Sequence, residues 1–396
     1  MNIKRILRLA LGKGNKKNEY VSFVSTASGL SYDEAKAKMD EAKKMGISYK
    51  YFAKRRLWNS TDSQLENAAR MLDKKRNDSL EIKETAIQHV IDATGWSYKK
   101  TAEKMSKARK NCGSSSKDYY KFELYKLTPE QQREYFTNGV FEKLMFKYNP
   151  DPEAVHTLLY KGRFAIKYRD LLNRKWFINR DLSFDEFCEK VEGLDKLICK
   201  PLASTQGKGI TLIKFDEYPD MKAVYDDIFA RIKLLCEECI VQHPAIAAFN
   251  PSSVNTLRVL TIVDQGKCHH VYAGFRMGRG NLVDNFHAGG IIASVDTATG
   301  ITCMDAIDLD GNHYPKHPVS GLDTLGFQIP NWQAVLDITE KAALRLEGAA
   351  MVGWDVAVTP DGACLVEGNS EPSHIIIQLP YVRDGVGMKK LVSKFL

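Results

Sequence analysis

The chain has 396 residues, of which 44% are hydrophobic and 27% charged, and its formal net charge at pH 7 is +8. This composition is typical of a soluble globular protein with room for two or three domains. No apolar run approaches the roughly 18 residues of a membrane span, which excludes a membrane-spanning protein. The modest positive charge suits an anionic ligand such as a nucleotide, and the lack of a compact basic patch with interleaved aromatic residues argues against a nucleic-acid partner.

Eight cysteines are scattered along the chain, and no signal peptide precedes them. This pattern predicts free thiols in a reducing cytoplasm. Cys236 and Cys239 have C-x-x-C spacing, but no second pair accompanies them. We therefore interpret them as two half-buried thiols near the end of a helix, not as zinc ligands.

The first 150 residues are predicted to be mostly helical and indicate no chemistry. In residues 1–11 the apolar positions follow helical spacing, so this segment either caps a domain or makes weak contact with an anionic membrane surface. Ser31 to Glu34 has the pattern of a capping box, and its helix is expected to end at Gly46. Other predicted elements are helices at about 62–76, 83–94 and 97–110, a linker at 112–116, and a helix from Pro129 to about 147.

From about residue 155, predicted strands alternate with helices. The strand at 195–202 contains Lys200, and a glycine-containing loop separates it from a strand at 210–215. Glycines let backbone N–H groups approach phosphate oxygens, so this loop is a candidate phosphate cradle, with an ordinary turn as the alternative. It is not a P-loop, because the G-x-x-x-x-G-K-[ST] pattern is absent and a strand follows. The candidate ligand-binding residues of the loop are Ser204, Gln206, Gly207, Lys208 and Gly209.

Two long strands are predicted at 255–264 and 267–277, joined by a short turn at residues 265–266. They carry Arg258 and Arg276, respectively. Two arginines on neighbouring strands near a phosphate loop indicate an anion site, and surface ion pairs are the alternative. The other elements predicted in this region are a helix at 221–236, a strand at 240–244, and a helix from Asn331 to Gly348.

Residues 352–370 contain two apolar runs on either side of a Pro-Asp-Gly turn, which predicts a β-hairpin. Across the turn Asp355 and Glu367 are expected to lie side by side, and Asn369 shares a face with Glu367 because it lies two residues further on. Two carboxylates and an amide oxygen are ligands that Mg²⁺ prefers. The alternative is a solvated hairpin edge with ordinary acidic residues.

Together, the lysine-bearing strand, the glycine-containing loop, the arginine strands, the Asn-Phe-His-Ala-Gly-Gly segment at 285–290 and the acidic hairpin resemble the ATP-grasp superfamily over about residues 160–396. The similarity is greatest to ATP-grasp proteins associated with sugar transfer in bacterial surface-polysaccharide loci and to the ribosomal-protein glutamate ligases. The resemblance implies an α+β fold, in which two α/β lobes grip ATP, preceded by a helical N-terminal region at 1–150. The ATP-grasp domain would span 151–396, with a loop subdomain at about 190–245 and a metal-binding lobe at about 250–396.

The resemblance also implies roles for individual residues. Lys175 and Lys200 would hold the nucleotide phosphates together with the glycine-containing loop. The adenine hinge would be formed by Gln242, His243 and Ala245, with the Ala245 N–H as donor, because Pro244 has none. Asn285 would contact the nucleotide, and Arg258 and Arg276 would stabilise the phosphates and the developing anion. His287 would either transfer a proton or make a structural hydrogen bond. The implied ligands of Mg²⁺ are Asp355, Glu367 and Asn369.

The implied activity is ATP-dependent ligation of a small-molecule carboxylate to an amine or another nucleophile, through an acyl phosphate. An amino acid or sugar acid of surface-polysaccharide or secondary metabolism is the expected substrate, in the cytoplasm, with a homodimer as a common arrangement. Residues 247–250 offer no acidic side chain to the ribose, and Ala288 replaces an arginine of the glutamate ligases, which argues against their substrate. The alternatives are a phosphotransferase with a hydroxyl acceptor and a non-catalytic nucleotide-binding scaffold.

Overall fold

The computed structural model describes residues 20–21, 24–25, 28, 30–45, 47–49, 62–180, 182–202, 209–280 and 289–396, and for residues 62–76 it describes the backbone only. The chain forms two compact units, residues 1–95 and 96–396. The segment 1–11, for which domain capping and weak membrane contact are the two alternatives, lies outside the described residues. Of the described helices, none combines the length and the hydropathy needed to cross a bilayer.

The first unit contains helices α1 (Tyr32–Lys44) and α2 (Asp62–Thr94). The Ser31 hydroxyl accepts from the Glu34 N–H while the Glu34 carboxylate accepts from the Ser31 N–H, so the predicted capping box is confirmed. The predicted break between 76 and 83 is wrong. No glycine or proline interrupts the chain there, and α2 continues through it.

The second unit holds all the described strands and the remaining helices. Its helices are α3 (Tyr98–Cys112), α4 (Ser116–Lys121), α5 (Pro129–Arg133), α6 (Asn138–Tyr148), α7 (Pro152–Leu159), α8 (Lys161–Lys167), α9 (Phe184–Val191), α10 (Met221–Ala230), α11 (Pro244–Ala247), α12 (Trp332–Leu344) and α13 (Ile375–Gln378). Its strands are β1 (Trp176–Ile178), β2 (Lys196–Pro201), β3 (Thr211–Lys214), β4 (Leu234–Glu238), β5 (Thr256–Asp264), β6 (Lys267–Met277), β7 (Ile291–Val295), β8 (Ala306–Ile307), β9 (His313–Tyr314), β10 (Met351–Thr359) and β11 (Gly362–Asn369).

The stretch predicted as a linker at 112–116 is a tight connection between helices. Gly113 ends α3 with φ of 74°, a conformation that favours glycine, and its carbonyl accepts the Gly139 N–H at 2.9 Å. Thr128 caps α5 as expected, but α5 ends at Arg133 and α6 begins separately, so the single helix predicted to about 147 is wrong.

A four-stranded antiparallel sheet, the small sheet, has the order β1-β4-β2-β3. Helices α9 and α10 cover one face, and the core there is formed by Phe177, Phe187, Val191, Leu197, Cys199, Ile213, Val224, Ile228, Leu234 and Cys236. Because side chains alternate along a strand, Lys200 and Glu237 project from the other face. This alternation makes the small sheet a platform with one apolar and one charged side.

Two predictions around β4 are wrong. The helix predicted at 221–236 ends at Ala230, and residues 234–238 form β4 instead. The strand predicted at 240–244 is a loop followed by α11, because Pro244 is well placed at the first position of a helix and the His243 ring accepts the Ala245 N–H at 3.2 Å.

The large sheet has seven antiparallel strands in the order β11-β10-β5-β6-β7-β8-β9. Helix α12 packs on β5, β6, β10 and β11, and α7 and α8 contact β11. The predicted strands at 255–264 and 267–277 are confirmed, as is the turn between them. The helix predicted from Asn331 begins next to it and ends at Leu344, before Gly348.

The predicted acidic hairpin is confirmed as β10 and β11, with Asp355 opposite Glu367. A register shift follows that pair and places Val356 opposite Leu365, a bulge of the kind that re-aims side chains near functional sites. Trp354, on the neighbouring position, is fully buried, and its indole N–H donates to the Thr261 hydroxyl at 2.8 Å. The hairpin is therefore anchored in the core and is not a solvated edge.

Replacing Trp354 by alanine is expected to lower the free energy of unfolding by about 3–5 kcal/mol, because a fully buried ring is lost and Thr261 loses its partner. Chemical denaturation measures this. Val319→Ala, at a site that is 59% exposed, serves as the control and should change the free energy by less than about 0.5 kcal/mol. Equal effects of the two substitutions would contradict the packing described for β10.

Candidate active site

Asp355 is the centre of a buried ion-pair cluster on the large sheet. It is 3% exposed and accepts from Arg258 of β5, with Nε–Oδ1 at 2.5 Å and Nη2–Oδ2 at 3.1 Å, and from Nη1 of Arg276 of β6 at 2.8 Å. Burial by itself would raise the pKa of Asp355, but the two guanidinium groups lower it to about 2. The carboxylate is therefore held ionised by the two arginines that the sequence singled out.

Glu367 is in the opposite electrostatic situation. Burial and the neighbouring charge of Asp355 raise the pKa of Glu367, and the arginines only partly offset this. A cation between the two carboxylates would relieve the repulsion. The Asn369 amide lies within 3.4 Å of Glu367 Oε1, so a third oxygen-bearing side chain is close by.

The donor set fits a hard divalent cation with few protein ligands. A carboxylate has about four lone-pair directions, and the two arginines already use three of those of Asp355. Asp355 can thus offer one oxygen position, while Glu367 and Asn369 can complete the set, in keeping with Mg²⁺, which is often bound through one or two carboxylates and substrate phosphates. Among the described residues, no group of three or more His, Cys, Asp and Glu side chains could hold a metal ion.

A row of side chains crosses the large sheet at the level of Asp355. The register aligns one position from each of five strands, in the order Glu367, Asp355, Arg258, Gly274 and Ser294. A Cβ atom at Gly274 would lie 2.6 Å from Ile292 Cδ1 and 2.8 Å from the Tyr272 hydroxyl, so a larger residue does not fit in this row.

The small sheet contributes a second buried carboxylate held between two cations. Glu237 is 1% exposed, and its Oε2 lies 2.6 Å from Lys200 Nζ, while its Oε1 accepts from Arg174 Nε at 2.8 Å. Burial would raise the pKa of Glu237, but Arg174 and Lys200 lower it to about 2. Lys200 is therefore oriented on the charged face of the small sheet, where the sequence analysis placed a phosphate contact.

Lys161, the first residue of α8, is a half-buried cation within electrostatic range of both clusters. Burial lowers the pKa of its ammonium group, while Glu367 opposes that shift and Lys200 adds to it. The charges of the acidic hairpin and of the Lys200–Glu237 pair thus both act on Lys161. The contact that joins the two sheets is made by Arg174, which donates to Glu237 of β4 at 2.8 Å and to the Leu365 carbonyl of β11 at 2.6 Å.

The position of Lys175 differs from the sequence-based assignment. Lys175 is exposed, and its ammonium group donates to the Glu192 carbonyl at 2.6 Å, at the end of α9. The neighbouring residue, Arg174, is the one that reaches Glu237. Adjacent residues of an extended chain point to opposite sides, so only one of this pair can face the site.

In the segment assigned to the adenine hinge, the Gln242 side chain and the Ala245 N–H already have hydrogen-bond partners within the protein. The Gln242 amide donates to the Ser253 carbonyl at 2.7 Å and accepts the Asn255 N–H at 2.7 Å. The Ala245 N–H, the expected donor, is used by His243. The strand that borders the site is β4, which ends before this segment.

Several candidate residues lie outside the described part of the chain. They are Ser204, Gln206, Gly207 and Lys208 of the glycine-containing loop, together with Asn285 and His287. Gly209, at the end of the loop, has φ of 74°, and a Cβ atom there would lie 3.0 Å from the Pro201 ring. Glycine is therefore required where the loop joins β3.

Sequence reasoning missed Lys161, Arg174 and Glu237. The alternation Cys236-Glu237 in an apolar strand was a usable signal, because it places the thiol and the carboxylate on opposite faces. Arg174 was indistinguishable from Lys175 without the strand register. Lys161 belongs to no motif, and only the packing of α8 brings it to the site.

The two antiparallel sheets, joined by Arg174 next to the acidic hairpin, agree with the ATP-grasp class, and the expected α+β fold is confirmed. The family model for sugar-transfer associated ATP-grasp proteins matches residues 177–394, more than half of the chain. The chain belongs to the sugar-transfer associated ATP-grasp family. No match was found among the curated proteins.

Solved structures of ATP-grasp ligases are also similar to the chain. An L-amino acid ligase from Bacillus licheniformis is 10% identical, with a TM-score of 0.33, over 55% of this chain and 41% of that one. The ligase PsnB, complexed with a variant precursor, Mg and ADP, is 17% identical, with a TM-score of 0.35, over 63% and 62%. D-alanyl-alanine synthetase A from Vibrio cholerae O1 biovar eltor is 14% identical, with a TM-score of 0.34, over 61% and 65%. The chain thus covers less than two thirds of each, and similarities this low support no further inference.

Glu367→Gln is expected to stabilise the metal-free protein. Because the pKa of Glu367 is raised in the fold, its ionised form destabilises the fold above that pKa, and this cost disappears as the pH falls towards the ordinary value of 4.5. In EDTA at about pH 7.5, Glu367→Gln should therefore unfold at a higher temperature than the unsubstituted protein, and the difference should vanish by about pH 4.

Thermal unfolding monitored by circular dichroism across this pH range measures whether Glu367→Gln raises or lowers the unfolding temperature. Glu371→Gln removes a carboxylate from an exposed position on the same segment and serves as the control. A lower unfolding temperature for Glu367→Gln at neutral pH would contradict the electrostatic account of the hairpin.

Proposed function

We propose that the protein is an ATP-dependent ligase that joins a carboxylate to an amine or another nucleophile through an acyl phosphate. The observation that carries this proposal is the Arg174 bridge, which brings the Lys200–Glu237 pair of the small sheet next to strand β11 of the acidic hairpin. Membership of an ATP-grasp family supports it.

The net charge of the site suits a nucleoside triphosphate. Among the described residues, the cations of the two clusters exceed the carboxylates by two charges, and the members are Lys161, Arg174, Lys200, Arg258 and Arg276 against Glu237, Asp355 and Glu367. A polyphosphate therefore enters a site with a positive surplus. Catalysis of phosphoryl transfer rests mainly on such positioning and electrostatic stabilisation.

Each cluster has its own part in the reaction. Lys161 and Lys200 are proposed to bind the phosphates. Lys161 takes the place of Lys175 in this role because the charges of Glu367 and Lys200 act on it, whereas Lys175 is exposed and donates to the Glu192 carbonyl. Glu367, Asp355 and Asn369 hold Mg²⁺, which neutralises phosphate charge when bound. Arg258 and Arg276, held in place by Asp355, face the charge that develops at the transferred phosphoryl group.

The reaction has two steps. A carboxylate oxygen of the first substrate attacks the γ-phosphorus of ATP, the bond to the β-phosphate oxygen breaks, and ADP leaves. The nitrogen of the second substrate then attacks the acyl carbon, phosphate leaves, and the nitrogen loses a proton. His287, in the Asn-Phe-His-Ala-Gly-Gly segment, is our candidate to accept that proton, since imidazole titrates near neutrality. The proposed substrates are an amino acid and a sugar acid or amine of a cell-surface glycan precursor.

Product analysis tests the activity. With ATP, Mg²⁺ and a panel of amino acids and uronic acids, ADP and free phosphate should be released only when both acceptors are present. Asp355→Asn and Glu367→Gln should each reduce turnover by at least about 100-fold, as expected for the loss of a charge-stabilising interaction in the transition state, and Glu367→Gln should do so with the fold intact. Phosphate retained on a product would instead indicate a phosphotransferase, and binding without turnover would indicate a scaffold.

The variants Lys161→Met and Lys175→Met test which lysine binds phosphate together with Lys200: Lys161, as proposed here, or Lys175, as the sequence resemblance implies. Loss of a charged contact to phosphate costs about 1.5–3 kcal/mol, so Lys161→Met should weaken ATP binding by about 10- to 100-fold, and Lys175→Met by less than about twofold. Calorimetric titration with a non-hydrolysable ATP analogue measures both. The opposite order of effects would return Lys175 to the site and remove Lys161 from it.

A further inference from the structure

We infer that Arg174 is a positioning residue that couples the phosphate-binding face of the small sheet to the metal-binding hairpin of the large sheet. This inference rests on the proposed function, because it concerns how the two halves of that site are held in register. It is carried by a continuous set of buried contacts that pass through a single side chain.

The first part of the coupling is a strap, residues 171–175, which lies alongside β11. The Leu365 N–H donates to the Leu171 carbonyl at 2.9 Å, and the Asn173 amide donates to the Ala363 carbonyl at 3.0 Å. Asn173 has φ of 50°, the left-handed conformation, which turns the strap away from β11 and into β1 of the small sheet. The strap therefore belongs to both sheets.

The guanidinium of Arg174 spans the same gap. Its Nη1 donates to the Leu365 carbonyl of β11 at 2.6 Å and to the Leu172 carbonyl at 2.9 Å, while its Nε donates to Glu237 of β4 at 2.8 Å. Its Nη2 also contacts Glu237, and the Arg174 side chain is only 3% exposed. One planar group thus joins a backbone carbonyl of the large sheet to a carboxylate of the small sheet.

Each end of this bridge lies next to a residue of the site. Leu365 precedes Glu367 by two residues on β11, on the far side of the bulge from the Asp355 pair. Glu237 holds Lys200 at 2.6 Å through its other oxygen. The path Lys200–Glu237–Arg174–Leu365 therefore links the lysine that binds phosphate to the strand that binds the metal.

The geometry requires arginine and not simply a positive charge. Arginine offers five N–H donors in a rigid plane, so it can satisfy two carbonyls and a carboxylate at once, whereas a lysine ammonium is a point charge on a flexible chain. Lysine at this position can keep the charge opposite Glu237, but it cannot keep the bridge to Leu365. Arg174→Lys therefore separates charge from positioning.

The experiment measures how strongly Mg²⁺ tightens the binding of a non-hydrolysable ATP analogue. The dissociation constant of the analogue is determined by calorimetry in EDTA and in saturating Mg²⁺. The constant in EDTA divided by the constant in Mg²⁺ gives the coupling between the hairpin and the phosphate site. In Arg174→Lys this ratio should fall by about tenfold relative to the unsubstituted protein, while binding in EDTA changes by less than about threefold, within the usual range of coupling energies.

Two further variants complete the design. Arg163→Lys makes the same substitution in a solvent-exposed ion pair with Glu153 and should leave the ratio unchanged. Asn173→Gly removes the side-chain contact to Ala363 and tolerates positive φ, so it loosens the strap without a charge change and should lower the ratio by about threefold. It keeps the test decisive even if Arg174→Lys does not fold.

The outcomes are distinguishable. An unsubstituted protein that binds no ATP analogue overturns the proposed function, and with it this inference. If the unsubstituted protein binds the analogue and Mg²⁺ tightens that binding equally in every folded variant, the inference about Arg174 is overturned and the proposed function stands.

Discussion

The site depends on one repeated arrangement, a buried carboxylate held between two cations. Glu237 lies between Arg174 and Lys200 in the small sheet, and Asp355 lies between Arg258 and Arg276 in the large sheet. Burying a charge without a partner costs several kcal/mol, so each carboxylate constrains both of its cations. Flexible basic side chains are thereby fixed in direction before any ligand arrives.

Glu367 differs from Glu237 and Asp355 in its electrostatic environment. Burial and the charge of Asp355, which lies opposite it, raise the pKa of Glu367, and the two arginines offset this only in part. A site with one poorly compensated carboxylate and a surplus of cations is suited to a divalent metal together with a polyanion. If Glu367 binds the metal as proposed, the charge that destabilises the metal-free fold is the charge that the metal needs.

The sequence predicted the elements that repeat a local pattern. The alternation in β5, β6, β10 and β11, the turns within each pair, and the capping box of α1 are properties of short segments, and all appear in the structure. Local sequence also singled out Asp355 and Glu367, which lie on either side of one turn, and Arg258 and Arg276, whose strands are joined by a short turn. Predictions failed where a segment lacked a distinctive pattern, as in the unbroken α2 and in the residues around β4.

What the sequence determined by itself is therefore the acidic hairpin, the arginine strands and the lysine strand, since each follows from period-two alternation within one segment. Only the tertiary structure decided which basic residue of the Arg174-Lys175 pair faces the site, and that the charges of Glu367 and Lys200 both act on Lys161. The physical reason is that these choices depend on the register of β1 against β4 and on the packing of α8. Both are set by contacts between residues distant in the chain, which no local pattern records.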